Sequence, residues 1–345
     1  QKGEAPLIIL ISGTGSLYNS GLTMYLANVF YDKGYNIIAL SSPTTMPYIV
    51  SQSKNNYAGY IKDESDHMYN LISTAVSKEK ADGMKVTDTY IGGYSLGGFQ
   101  SLLIQEIDSE KKKIGIKKSL MLNSPVSILT ATQKLDRFLV ENGIYNAEGL
   151  EKFLDNIFSK IIYDDKLELS DIDFTNIKSA IIKLQLKDSD FEVLTGLLFR
   201  FYSANMTFAG EVFSGKNAVG RLSDKKSYKR FDSVTNEFME GLSVSFDEYS
   251  KEILFPYLKK NKYPDLTMEQ FIKEFDLRNS QEFIDKNNKN IIFITSKDDI
   301  LTTESDLDYI NKTFGNKVII PYGGHTGILW HKDVANLMID KLEEE

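Results

Sequence analysis

The chain contains no cysteine, which excludes a disulfide framework, a thiolate nucleophile and a cysteine-ligated metal site. Histidine is almost as scarce: His67, His325 and His331 are scattered without ligand spacing, so no usual zinc centre is expected. No apolar run reaches the length of a transmembrane helix. Positive charge is in deficit, with 40 Lys and Arg against 48 Asp and Glu, and a formal net charge of -8 disfavours nucleic acid or an anionic membrane as the main partner. Arginine is scarce while lysine, asparagine and isoleucine are abundant, which sets a bacterial source as the expectation. Lack of cysteine, with a chain that begins at Gln1 rather than methionine, sets a periplasmic or secreted location as the expectation, with a cytoplasmic one as the alternative.

What is present reads as a globular α/β protein. The chain of 345 residues is long enough for one large domain carrying a sizeable insertion. Continuous apolar runs at 7–12, 36–40, 86–91 and 119–122 predict strands buried on both faces, as a parallel sheet requires. Between them, Leu22, Leu26, Val29 and Phe30, then Met68, Leu71, Ile72, Ala75 and Val76, recur at helical spacing. The same alternation returns late in the chain, with strands predicted over 291–295 and 317–320. A helix capped at Thr302 or Thr303 lies between them, and a final helix carries Trp330, Val334 and Met338. Residues 126–288 break this rhythm with helical periodicity and little strand signal, including a capping box at Thr267 and Gln270.

Chemistry is concentrated at predicted strand ends. Thr89-Tyr90-Ile91-Gly92-Gly93-Tyr94-Ser95-Leu96-Gly97-Gly98 joins a strand to a helix, and contains Gly93-x-Ser95-x-Gly97. Glycines two residues to either side of a serine permit a turn tight enough to expose the hydroxyl as a nucleophile. A base is needed, and elimination leaves His325, on a loop after the last strand, because His67 and His331 fall within predicted helices. The acid comes from Asp298 or Asp299, just after a strand, although either also suits a turn or helix cap. The N–H of Leu96 is placed to donate to an oxyanion, and a second donor is expected from the loop Ser12-Gly13-Thr14-Gly15-Ser16. That loop lacks the Lys-Ser/Thr or third glycine of a phosphate-binding turn.

Across residues 7–125 and 289–345 these features resemble the α/β-hydrolase superfamily. The resemblance implies a mostly parallel sheet flanked by helices, with Ser95 as nucleophile, Asp298 as acid, His325 as base, and the amides of Thr14 and Leu96 as oxyanion donors. Residues 126–288 then fall where the family inserts a helical cap, between its sixth and seventh strands, so the division is 1–125 and 289–345 for the core and 126–288 for the cap. The chain departs from the pattern in having Ser12-Gly13 for His-Gly and Thr295 for a glycine, and its first two family strands are not evident before Leu7. The expected activity is hydrolysis of a carboxylic ester, small or lipid-like, through an acyl-enzyme and without metal or cofactor. A peptidase, a thioesterase and a non-catalytic binding protein are the other readings.

Overall fold

In the computed structural model, residues 3–52, 57–144, 148–153, 155, 187–214, 229 and 231–344 are described. The buried runs form strands β1 (Glu4–Ile11), β2 (Asn36–Leu40), β3 (Lys85–Tyr94), β4 (Ile116–Leu122), β5 (Ile291–Ser296) and β6 (Asn316–Ile320). All five pairings between them are parallel, in the order β2-β1-β3-β4-β5-β6.

The apolar runs need no polar alternation because helices cover both faces. Ile8 and Leu10 of β1 pack with Leu120, Leu122, Ile292 and Ile294. Helix α1 (Gly21–Asp32) and the terminal helix Lys332–Glu343 cover that face, through Leu26, Phe30, Met338 and Leu342. The alternate residues Leu7, Ile9 and Ile11 point the other way, onto Met68, Tyr69 and Ile72 of α3 (Ile61–Ala81). This is the period of two expected of a strand, satisfied on both sides by hydrocarbon. Between α1 and α3 lies α2 (Met46–Gln52), and α4 (Leu96–Lys111) follows β3 directly.

The strand order places the site. From β1 the chain moves to one neighbour, β2, then returns to the other side of β1 as β3. Loops leaving β1 and β3 therefore diverge, and the crevice between them at the carboxyl ends of the strands is the usual ligand position in an open α/β sheet. Gly13-Thr14-Gly15 and Ser95 lie at those two ends.

Between β4 and β5 the described chain is helical apart from one isolated bridge, Ser127 to Asp276. It includes α5 (Ile128–Glu141), the long α6 (Asp188–Ser214) and α7 (Thr235–Ser243), then shorter helices. The capping box at Thr267 and Gln270 forms, as does one at Thr303 and Asp306. This segment is not a detached lobe, since its Met206, Tyr249, Leu254, Phe271 and Phe275 share one core with Leu96, Phe99 and Met121. His331 differs from its expected place inside the last helix: it is the N-cap, ahead of Lys332.

One polar residue locks the base of the sheet. Asp108, buried in α4, accepts the Tyr69 hydroxyl and the backbone N–H groups of Ile114, Gly115 and Ile116 at 2.7 to 2.9 Å. It thereby sets where α4 ends and β4 begins. Asp108→Ala leaves these donors unmatched and should destabilise the fold by about 3 kcal/mol. Urea unfolding measures this, and an unchanged midpoint would contradict the role.

Candidate active site

Strand β3 runs to Tyr94, and α4 starts at Leu96, so Ser95 alone makes the turn between them. Its backbone sits at φ 55° and ψ -125°, a strained conformation for a residue with a side chain. Two features hold it there. The Ser95 N–H donates to the Leu122 carbonyl at 2.8 Å, tying the turn to β4. The backbone around it is also packed too closely for any side chain. A Cβ on Gly93 would lie 2.5 Å from Gly97 carbonyl atoms, and one on Gly97 would lie 2.2 Å from the Ile11 carbonyl oxygen. Both glycines are thus required by close approach.

His325 stands on the loop after β6, with Nε2 3.0 Å from Ser95 Oγ. Its Nδ1 lies 2.9 and 3.0 Å from the two carboxylate oxygens of Asp299. Asp299 is buried, and it also accepts the Leu301 N–H at 2.9 Å and the Asn123 side-chain amide at 2.8 Å. The carboxylate beside His325 is therefore Asp299, and the expectation of Asp298 is corrected. Asp298 is turned to the loop instead, where its oxygens accept the N–H groups of Gly323 at 3.1 Å and Gly324 at 2.9 Å. What burial Asp298 has works to raise its pKa, but the N–H groups of Gly324 and Gly323 outweigh it and hold the carboxyl below its ordinary range. Adjacent residues leaving a strand project in different directions. Asp298 thus braces the loop that carries His325, while Asp299 meets the ring itself. Ser296 Oγ adds a bond to the Gly324 carbonyl at 2.6 Å.

Asn123 was not singled out by its sequence. It ends β4 with φ 45°, and its side-chain amide orients Asp299. Its only sequence signal is its place before Ser124-Pro125 at a strand end.

The loop after β1 is fixed on both sides. Ser12 hydrogen-bonds the Leu40 carbonyl at 2.9 Å and the Thr23 hydroxyl at 2.8 Å. The Gly15 N–H donates to Thr44 Oγ1 at 2.8 Å, and the Ser42 N–H donates to the Ser16 carbonyl at 2.9 Å. Gly15 has φ 70°, and the Tyr202 ring of α6 lies where its Cβ would be. A single cavity is bounded by Thr14, Ser95 and Leu96 on this side and by Ile128, Leu135, Phe199 and Met206 on the other.

Three charged side chains also border the cavity: Glu64, Asp136 and Arg200. Arg200 and Asp136 are partners at 2.5 Å. Glu64, in the first turn of α3, accepts the Gly59 N–H at 2.6 Å. Burial raises the Glu64 pKa to about 7, the Gly59 bond works against that, and neighbouring Asp63 adds to it. Among the described residues, no three His, Asp or Glu side chains gather to hold a metal, and no helix is long and apolar enough to cross a membrane.

Glu64 carries a stability consequence. Its folded pKa lies above the ordinary 4.5, so the folded chain holds a proton that the unfolded chain releases, and stability falls as pH rises from about 4.5 to about 7. Glu64→Gln keeps an acceptor for Gly59 without the buried charge. It should be more stable than the parent at pH 8 by on the order of 3 kcal/mol, a gain that vanishes near pH 4. Denaturant unfolding at the two pH values checks this, and an equal difference at both would contradict it.

No protein-family model matches the sequence, and no curated protein matches it. Solved structures with similar architecture include Est1E from Butyrivibrio proteoclasticus, at 11% identity and a TM-score of 0.43, covering 99% of this chain and 90% of that one. A meta-cleavage product hydrolase from Pseudomonas fluorescens aligns at 14% identity and a TM-score of 0.46, covering 98% and 91%. An esterase from Exiguobacterium antarcticum aligns at 10% identity and a TM-score of 0.42, covering 99% and 93%. The chain has an α/β fold, a six-stranded parallel sheet flanked by helices, with Ser95 on the turn from β3 into α4.

Proposed function

We propose that the chain is a serine hydrolase that cleaves a carboxylic ester through an acyl-enzyme on Ser95. The observation that supports this most is the relay Ser95 Oγ, His325 Nε2, His325 Nδ1, Asp299, with every step within 3.0 Å. Asp299 selects the tautomer with the proton on Nδ1, which leaves Nε2 free to accept the Ser95 proton. Ser95 Oγ then attacks the acyl carbon, and the carbonyl oxygen becomes an oxyanion. In this reading the charge is taken by the amides of Leu96, at the start of α4, and of Thr14, two residues that border the cavity, aided by the positive end of the helix. Imidazolium His325 gives its proton to the leaving alcohol. Water, deprotonated by the same nitrogen, cleaves the acyl-enzyme and restores Ser95.

In this reading residues 126–288 serve as a cap. Leu135 from α5 with Phe199 and Met206 from α6 supply hydrocarbon to the cavity over Ser95, which suits an acyl group. Asp298 is a positioning residue that keeps the loop of His325 in place.

Hydrolysis of p-nitrophenyl butyrate tests the assignment. Ser95→Ala and His325→Ala should each lower kcat by at least about a thousandfold, and Asp299→Asn by about a thousand to ten thousandfold through the wrong histidine tautomer. Asp298→Asn should cost no more than about tenfold. Turnover retained in Ser95→Ala would overturn the proposal, and a larger loss in Asp298→Asn than in Asp299→Asn would overturn the choice of acid.

A further inference from the structure

Glu64 is the one charged side chain at the cavity without a matching partner among the described residues. It is 7% exposed, and it borders the same cavity as Ser95. Its Oε1 takes the Gly59 N–H, while its Oε2 is buried with no hydrogen-bond partner among the described residues. Across the cavity, Arg200 is already committed: Nε and Nη2 go to Asp136, and Nη1 goes to the carbonyls of Leu242 and Ser243. Among the described residues the cavity thus holds one cation and two carboxylates, and the cation belongs to Asp136.

A buried carboxyl with an idle oxygen is unfavourable, because it has left water without replacing the lost bonds. Helix α3 does not need that oxygen, since the bond to Gly59 uses the other. The carboxyl is raised toward neutral pH by burial and has no cation beside it among the described residues, so its environment stays poised to accept a positive group. Such uncompensated groups are tolerated where a ligand completes them.

We infer that Glu64 is a recognition residue for a protonated amine carried on the acyl part of the substrate. The ammonium would place N–H donors against Oε2 and supply the missing countercharge, with the intervening methylenes lying against Leu135, Phe199 and Met206. This deepens the esterase reading and rests on it, since it names the substrate class of the same site. The preferred substrate is an aminoacyl ester, and a simple fatty-acyl ester is the poorer one.

Two measurements test it. The first uses p-nitrophenyl esters of ω-amino acids in a graded length series, each paired with the n-alkyl ester in which a methyl replaces the ammonium. At one length the amine ester should exceed its alkyl twin in kcat/KM by about tenfold or more, and in Glu64→Gln that ratio should collapse toward one. The ratio is taken within each variant, so a change in overall activity cancels. The second is calorimetric binding of n-alkylamines and n-alkanols of equal length to the unaltered chain, where the best amine should bind about tenfold tighter than its alcohol. It requires neither turnover nor a variant. Amines that bind no better than alcohols at every length, or an amine preference that survives in Glu64→Gln, would overturn the inference. If alkyl esters are turned over in a Ser95-dependent way while amines gain nothing, this inference fails and the esterase reading stands. If no ester is turned over but the amines bind through Glu64, the recognition residue stands and the esterase reading fails.

Discussion

The structure depends on one close approach, that of β1, β3 and the start of α4 around Ser95. Gly93, Gly97 and the Ile11 carbonyl come so near each other that no side chain fits at either glycine. This contact forces the chain from strand to helix in a single residue and leaves Ser95 in a conformation it would not choose. The strain is supported by the sheet, because Ser95 N–H is bonded to β4 and the flanking strands are buried on both faces. A looser turn would move the hydroxyl away from His325.

The partners of Ser95 are held by loops at the same edge, and polar side chains fix those loops. Asp298 grips the amides of Gly323 and Gly324, Ser296 grips the Gly324 carbonyl, and Thr44 grips the amide of Gly15. Asn123 and the Leu301 amide hold Asp299. Each bond is ordinary in strength, but together they hold His325 within 3.0 Å of Ser95 Oγ and Asp299 within 3.0 Å of His325.

Much of this was legible in the sequence because it rests on local rules. Apolar runs marked all six strands, and Gly93-x-Ser95-x-Gly97 marked the turn, since only glycine meets the steric demand there. His325 could be reached by elimination in a chain with so few histidines. The choice between Asp298 and Asp299 could not, because it depends on which way each side chain leaves the turn after β5, a matter of tertiary geometry. Asn123 and Thr44 gave no signal for the same reason: a polar residue at a strand end reads as a turn. Glu64 reads as a favourable charge in the first turn of a helix, and its meaning appears only when α6 and the loop at Gly59 enclose it. Apolar residues at helical spacing in α6 read first as core, and Met206 is both: it belongs to the shared core and also borders the cavity.

The central claim is that the strained turn makes Ser95, among the many serines of this chain, a nucleophile. Treatment with a fluorophosphonate followed by intact mass and peptide mapping tests it most directly. The account predicts a single adduct, on the peptide containing Ser95, and none after denaturation of the chain. No adduct on the folded protein, or one on any other residue, would contradict it.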